Sequence, residues 1–252
     1  MIRRRLARVV AACALLAACA ACSPSPAPAQ PTATAPVAAA TTERLQGAQV
    51  ADAVTAAYQS ASTVHVRGTV PNPKQKGGSV SIDLQLSRDA AAGTLALGEL
   101  VLPVVRAGRD YYFQFTAADV QIAKLAPSSP AGRALIGKWV SSKVQMSLFK
   151  NMPGDVVTLL DYQGFMGNIV NAIRRNPITD NGTETIDGVS MLAYHDNESA
   201  TLDVTATSPH FLTRMTAPPT SQGALTFIDW NKAFTVTAPS PADIYNGPIG
   251  VA

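Results

Sequence analysis

The chain has 252 residues, of which 15% are charged and 6% are aromatic. Residues 1–18 hold four of the 20 basic residues and none of the 17 acidic ones, so the formal charge of +3 becomes 16 − 17 = −1 for the remainder. A near-neutral remainder gives no sign of a nucleic-acid partner or of a basic patch for a membrane surface. All three cysteines lie within the first 22 residues, which excludes a disulfide in the rest of the chain.

The N-terminus has the pattern of a secretory signal. Four arginines lie within the first eight residues, and the apolar run Val9–Leu16 that follows them is too short to span a bilayer. The sequence Leu16–Cys19 resembles the lipobox of bacterial lipoproteins, in which the cysteine thiol receives a diacylglyceryl group after the leader is cut off. The resemblance predicts lipidation of Cys19, with Cys22 as the alternative, and an anchor on the outer face of a cell membrane.

The composition divides the chain into three segments. We expect residues 1–18 to be the signal peptide and residues 19–40 to be the lipidated N-terminus with its tether. Ser23–Ala40 consists largely of Pro, Ala, Ser and Thr without periodicity, which is typical of a disordered linker. Residues 41–252 are then one domain, long enough to bury its own core.

The first part of this domain predicts one helix and a series of strands. Apolar residues recur with helical spacing over Thr42–Gln59, and Thr41 or Thr42 is a suitable cap. Alternation of apolar and polar residues then predicts strands at Val64–Val70, Ser79–Leu86, Thr94–Glu99, Leu100–Arg106 and Asp110–Thr116.

Turn residues separate these strands. Pro71–Gly78 is rich in proline and glycine, while Gly93 and Gly108 are expected to break the later runs into an antiparallel meander. A helix-like segment around Ser128–Ile136 precedes Trp139 and Val140.

The second part predicts helices and then strands again. Pro153–Leu160 and Tyr162–Arg175 have helical patterns, and Asn176–Pro177 ends the second helix. Five strands follow, at Thr183–Ile186, Val189–His195, Thr201–Thr207, Phe211–Thr216 and Ala224–Trp230. This order excludes repeated strand-helix units and favours an α+β fold, in which a single curved antiparallel sheet, a half-barrel, wraps around a few helices.

No catalytic or metal-binding pattern is present in the sequence. There is no nucleophile elbow, phosphate loop or zinc-protease motif, and no cluster of His, Cys, Asp and Glu at ligand spacing. His65 alternates out of phase with its apolar neighbours, so we expect it to face water, and we expect the same of His195 and His210 at strand ends. The sequence therefore predicts a protein that is not an enzyme and holds no cofactor or metal.

Several segments together resemble the LppX/LprG-type lipoproteins of actinobacteria, which share the LolA/LolB-like fold. The resemblance rests on Ser62–Thr69, Gly108–Phe113, Gly137–Val140, Asp187–Val189 and Phe227–Pro239, and it extends over nearly the whole mature domain. It implies a hydrophobic cavity between the sheet and its helices, and a ligand that is a lipid or glycolipid carried within the cell envelope.

Apolar faces supply candidates for the lining of such a cavity. A curved sheet can enclose a solid core or leave a cavity, and the pattern alone does not separate the two. The alternative function is an envelope lipoprotein of the same fold that binds a partner or acts as a sensor without lipid cargo. We expect a monomer in either case. The candidate lining residues are Val80, Ile82, Leu84, Leu102, Phe113, Phe115, Phe165, Ile169 and Leu202.

Overall fold

A computed structural model describes residues 44–71, 78–122, 129–142, 156–221 and 223–247. All of them belong to one compact unit, residues 40–252. The predicted signal peptide, both candidate lipidation cysteines and the predicted tether lie outside the described residues, as do residues 72–77 of the predicted turn.

The described residues form one antiparallel sheet of eleven strands in the order β6-β5-β4-β3-β2-β1-β11-β10-β9-β8-β7. Two consecutive meanders, β1 to β6 and β7 to β11, meet where β1 pairs with β11. β6 and β7 are the two edges, so the sheet is not closed into a barrel. The strands are β1 (Thr63–Pro71), β2 (Ser79–Ser87), β3 (Ala90–Leu97), β4 (Leu100–Ala107), β5 (Asp110–Gln114), β6 (Trp139–Ser141), β7 (Ile178–Ile186), β8 (Val189–Asp196), β9 (Thr201–Thr205), β10 (Leu212–Thr216) and β11 (Ala224–Ile228).

Five α-helices lie in the described part of the chain, and the two long ones, α1 and α5, contact each other. They share one apolar core with the inner face of the sheet. The helices are α1 (Ala48–Ser60), α2 (Ala117–Ile122), α3 (Pro130–Leu135), α4 (Val156–Leu159) and α5 (Tyr162–Arg175), and a 3₁₀ turn follows at Pro241–Asp243. The predicted fold class, a curved antiparallel sheet around a few helices, is confirmed.

The two long helices begin in different ways. The Asp161 carboxylate accepts a hydrogen bond of 2.6 Å from the backbone N–H of Gly164, so α5 has a side-chain cap and starts where the sequence predicts. The first helix, in contrast, begins at Ala48 after Gly47, without a side-chain cap. The predicted helix therefore starts later than expected, since residues 44–47 are not helical, and the predicted caps Thr41 and Thr42 lie outside the described residues.

Gly93 does not break a strand, contrary to expectation. It lies inside β3 with φ of 150°, and a Cβ added there would lie 1.9 Å from the backbone oxygen of Asp83 on β2. The strand needs glycine at this position because no side chain fits between the two backbones. Gly108, in contrast, lies in the predicted turn, with φ of 63°.

Candidate functional site

An open cavity of about 500 Å³ lies beside α5, at the ends of four neighbouring strands. The helix supplies a stripe of side chains with spacings of three and four residues: Phe165, Asn168, Ile169 and Ala172. The opposite wall comes from the last residues of β1 and β10, the first residues of β2 and β11, and the connections beside them.

Most of the lining is apolar. Thirteen of the 21 residues that line the cavity are Ala, Val, Leu, Ile, Met, Phe or Pro, and the polar ones include no lysine, arginine or histidine among the described residues. The apolar members are Val70, Pro71, Val80, Leu159, Phe165, Ile169, Ala172, Ala200, Met215, Ala217, Pro218, Ala224 and Leu225. The cavity thus has the composition of a site for an apolar ligand.

Part of the apolar face of α5 lies at the border between the cavity and the core. All of the following belong to the buried core cluster, but Phe165 and Ile169 also line the cavity, whereas Met166, Val170 and Ile173 do not. Phe165 also packs against Phe227 of β11, with ring centroids 6.5 Å apart. The helix therefore leaves a gap on one side while filling the interior on the other.

The structure distributes the nine predicted lining residues over three places. Val80, Phe165 and Ile169 line the cavity. Leu202 lines a smaller pocket of about 70 Å³, which shares Ala172 and Met215 with the main cavity. All nine belong to the buried core cluster, and the other five line neither space: Ile82, Leu84, Leu102, Phe113 and Phe115.

Strand ends and connections form a part of the cavity that the sequence pattern does not predict. Met215, Ala217 and Pro218 lie where β10 ends, and Asp196 and Glu198 lie at the turn after β8. Alternation along a strand shows which face of the strand is apolar. It does not show at which end of the sheet a cavity remains.

Two histidines are buried, contrary to expectation. The His65 ring is 6% exposed, with Nε2 2.6 Å from a carboxylate oxygen of Asp83 and Nδ1 3.7 Å from one of Asp229. His210 is buried as well, and its Nδ1 lies 2.8 Å from the backbone oxygen of Thr205. Neither ring lines the apolar cavity.

Two tyrosine hydroxyls fix α1 against the rest of the core. Tyr194 of β8 donates to the backbone carbonyl of Leu45 at 3.0 Å, just before α1, and Tyr162 of α5 donates to that of Tyr58 at 2.6 Å. Burial raises the pKa of Tyr194 to about 12 and raises that of Tyr162 further. Both phenols stay protonated as donors at neutral pH.

Within the five described ranges, no three His, Cys, Asp or Glu residues are close enough to hold a metal ion. In the same ranges, no helix has the length and apolar character needed to cross a membrane.

Comparison with solved structures gives matches along most of the chain. LprF from Mycobacterium bovis matches with a TM-score of 0.48 and 15% identity, over 77% of this chain and 96% of that one. The lipoprotein LppX from Mycobacterium tuberculosis matches with a TM-score of 0.45 and 17% identity, over 75% of this chain and 97% of that one. A conserved protein from Thermus thermophilus matches with a TM-score of 0.37 and 6% identity, over 78% of this chain and 96% of that one.

LppX and LprF, whose lipoprotein family the sequence resembles, are thus among the structural neighbours of this chain. No family model matches the sequence, and no curated protein matches it either.

Proposed function

We propose that the protein is an anchored lipoprotein of the bacterial cell envelope that holds the acyl chain of a lipid or glycolipid and carries it without catalysis. The observation that supports this function is the open apolar cavity beside α5, which has the volume and lining of a ligand site.

The size of the cavity limits the cargo. Since a water-sized group takes up about 30 Å³ in a liquid, a cavity of about 500 Å³ holds roughly 17 such groups. A methylene is of similar size, so the space corresponds to about one long alkyl chain. We infer that one acyl chain enters and that any further chain of the same lipid stays outside.

Transfer from water supplies the binding energy. Each methylene that leaves water contributes about 0.8 kcal/mol, offset in part by the loss of freedom of the lipid. Three of the polar residues in the described lining are exposed: Asn168, Asn176 and Glu198. A head group therefore remains at the mouth, in contact with water.

The anchor is a separate part of the proposal, and it rests on the sequence. A diacylated Cys19 would hold the protein at the membrane, because two acyl chains give stable attachment and one gives only marginal binding. Detergent phase partitioning of Cys19→Ser tests it. The variant should leave the detergent phase while the matched Cys22→Ser variant stays there, and the reverse result would identify Cys22 as the acceptor.

Lipid bound to the purified protein tests the carrier function. All described elements lie beyond residue 43, so a protein without residues 1–22 keeps them. It should be produced in an actinobacterial host, extracted and analysed by mass spectrometry. We expect an acyl lipid at nearly one molecule per protein.

A cavity-filling variant provides the control for this experiment. Ala172→Trp places an indole in the cavity from α5, whereas Asn171→Trp places the same side chain on the exposed face of that helix. Lipid should be lost from the first variant and kept by the second. A wild-type protein that carries no lipid would instead support the alternative function, a module that binds a partner or acts as a sensor.

A further inference from the structure

Two acidic side chains lie among the described residues that line the cavity. Asp196 and Glu198 are the only ionisable side chains among the described residues that line it, and both are acidic. The Asp196 carboxylate is held in place by the backbone N–H groups of Glu198 and Ala200, each at 2.9 Å. In the described part of the chain, neither carboxylate forms an ion pair with a lysine or arginine.

Uncharged polar groups complete the mouth. Asn168 on α5 and Asn176 just after it are exposed and line the cavity, and neither side-chain amide forms a hydrogen bond with another described residue. An amide offers both donors and acceptors, which suits hydroxyl groups. A phosphate at the same place would approach two carboxylates, and the described lining provides no cation to compensate its charge.

We propose that the cavity selects lipids whose head group is uncharged and bears hydroxyl groups, and that Asp196 and Glu198 exclude anionic phospholipids. This inference rests on the proposed lipid-carrier function, because it assigns the head group that the same cavity accepts. Like charges held a few ångströms apart at a protein surface repel strongly enough to change affinity about tenfold.

Two probes that differ only in a phosphate test the selectivity. A monoacylglycerol and a lysophosphatidic acid with the same acyl chain are titrated, below their critical micelle concentrations, into the protein without residues 1–22. At low ionic strength the wild type should bind the monoacylglycerol at least about tenfold more tightly. At an ionic strength of about 1 M the preference should shrink, because the Debye length falls to about 3 Å.

Variants of the exposed Glu198 identify the source of the preference. Glu198→Lys should reduce the ratio of the two affinities several-fold, and Glu198→Gln should reduce it less. Asp187→Asn removes an acid from the β7–β8 turn, outside the cavity lining, and should leave the ratio unchanged. Asp196 is left intact because its carboxylate holds the turn after β8.

Three results would overturn the inference. Equal or tighter binding of lysophosphatidic acid by the wild type would show that the mouth does not exclude anions. A ratio unchanged in a folded Glu198→Lys variant would show that the carboxylate has no part in selection. If neither probe binds, the carrier function itself fails, and the selectivity fails with it.

Discussion

The Tyr162 hydroxyl at the start of α5 donates a 2.6 Å hydrogen bond to the Tyr58 carbonyl near the end of α1, and the two rings meet edge to face with centroids 6.2 Å apart. This carbonyl is one of the last four of α1, which have no partner inside the helix. The backbone N–H of Ser62, which would continue the helix, donates instead to the Asn231 side chain. Tyr162 thus satisfies a helix end and joins the two long helices.

Removal of this hydroxyl should destabilise the fold. In Tyr162→Phe the buried carbonyl of Tyr58 loses its partner while the ring contact remains, and we expect unfolding free energy to fall by about 1–2 kcal/mol. Urea denaturation measures the change. Tyr112→Phe is the matched control, because the Tyr112 hydroxyl forms no hydrogen bond with another described residue; a similar loss in both variants would contradict the assigned role.

Stability should also decline at alkaline pH. The pKa of Tyr194 is raised by burial from 10.0 to about 12, and that of Tyr162 is raised too, so the stabilisation is complete below pH 10 and is lost as pH rises through the folded values. Above pH 10 the phenols of the unfolded chain release their protons, whereas those of the folded protein keep them. The free energy of unfolding therefore falls by about 1.4 kcal/mol per pH unit for each tyrosine.

Urea unfolding at about pH 9 and pH 11 measures this effect. The double variant Tyr162→Phe/Tyr194→Phe should be less stable at the lower pH and should show a smaller decline between the two. An equal decline in wild type and double variant would assign the alkaline loss to other groups.

Gly93, where β2 and β3 approach closely, should not tolerate replacement by a residue with a side chain. Gly93→Ala would place a methyl carbon 1.9 Å from the Asp83 oxygen in a backbone conformation that L residues rarely adopt, so we expect a loss of about 3 kcal/mol or more. Gly167 on α5 has nothing within 4 Å of its added Cβ. Gly167→Ala should therefore stabilise the helix by about 0.5–1 kcal/mol. In thermal unfolding, the Tm should fall for Gly93→Ala and rise for Gly167→Ala.

Local patterns predicted the elements whose signals are local. The α5 bounds follow from the apolar stripe and Pro177, both of which act within a few residues of the helix. Strict alternation likewise identified β2, because one of its faces packs on the core and the other does not. These features need no knowledge of distant parts of the chain.

The error at His65 comes from contacts between distant parts of the chain. His65 has the alternation of an exposed residue, yet Asp229 after β11 and Asp83 on β2 lie against its ring. That arrangement depends on the pairing of β1 with β11, strands more than 150 residues apart. The cavity has the same origin, because its walls are ends of strands that only the complete sheet order brings together.

A lipid that binds in the cavity should raise the free energy of unfolding. A ligand that binds only the folded state at a free concentration of about 100 times its Kd adds about 2.7 kcal/mol, which corresponds to a Tm rise of roughly 5–10 °C for a domain of about 200 residues. Differential scanning calorimetry with monoacylglycerol measures the rise. Ala172→Trp should unfold at the same temperature with and without lipid, because the indole occupies the cavity, while Asn171→Trp should gain as much as the wild type. An equal rise for both tryptophan variants would mean that the lipid binds outside the space beside α5.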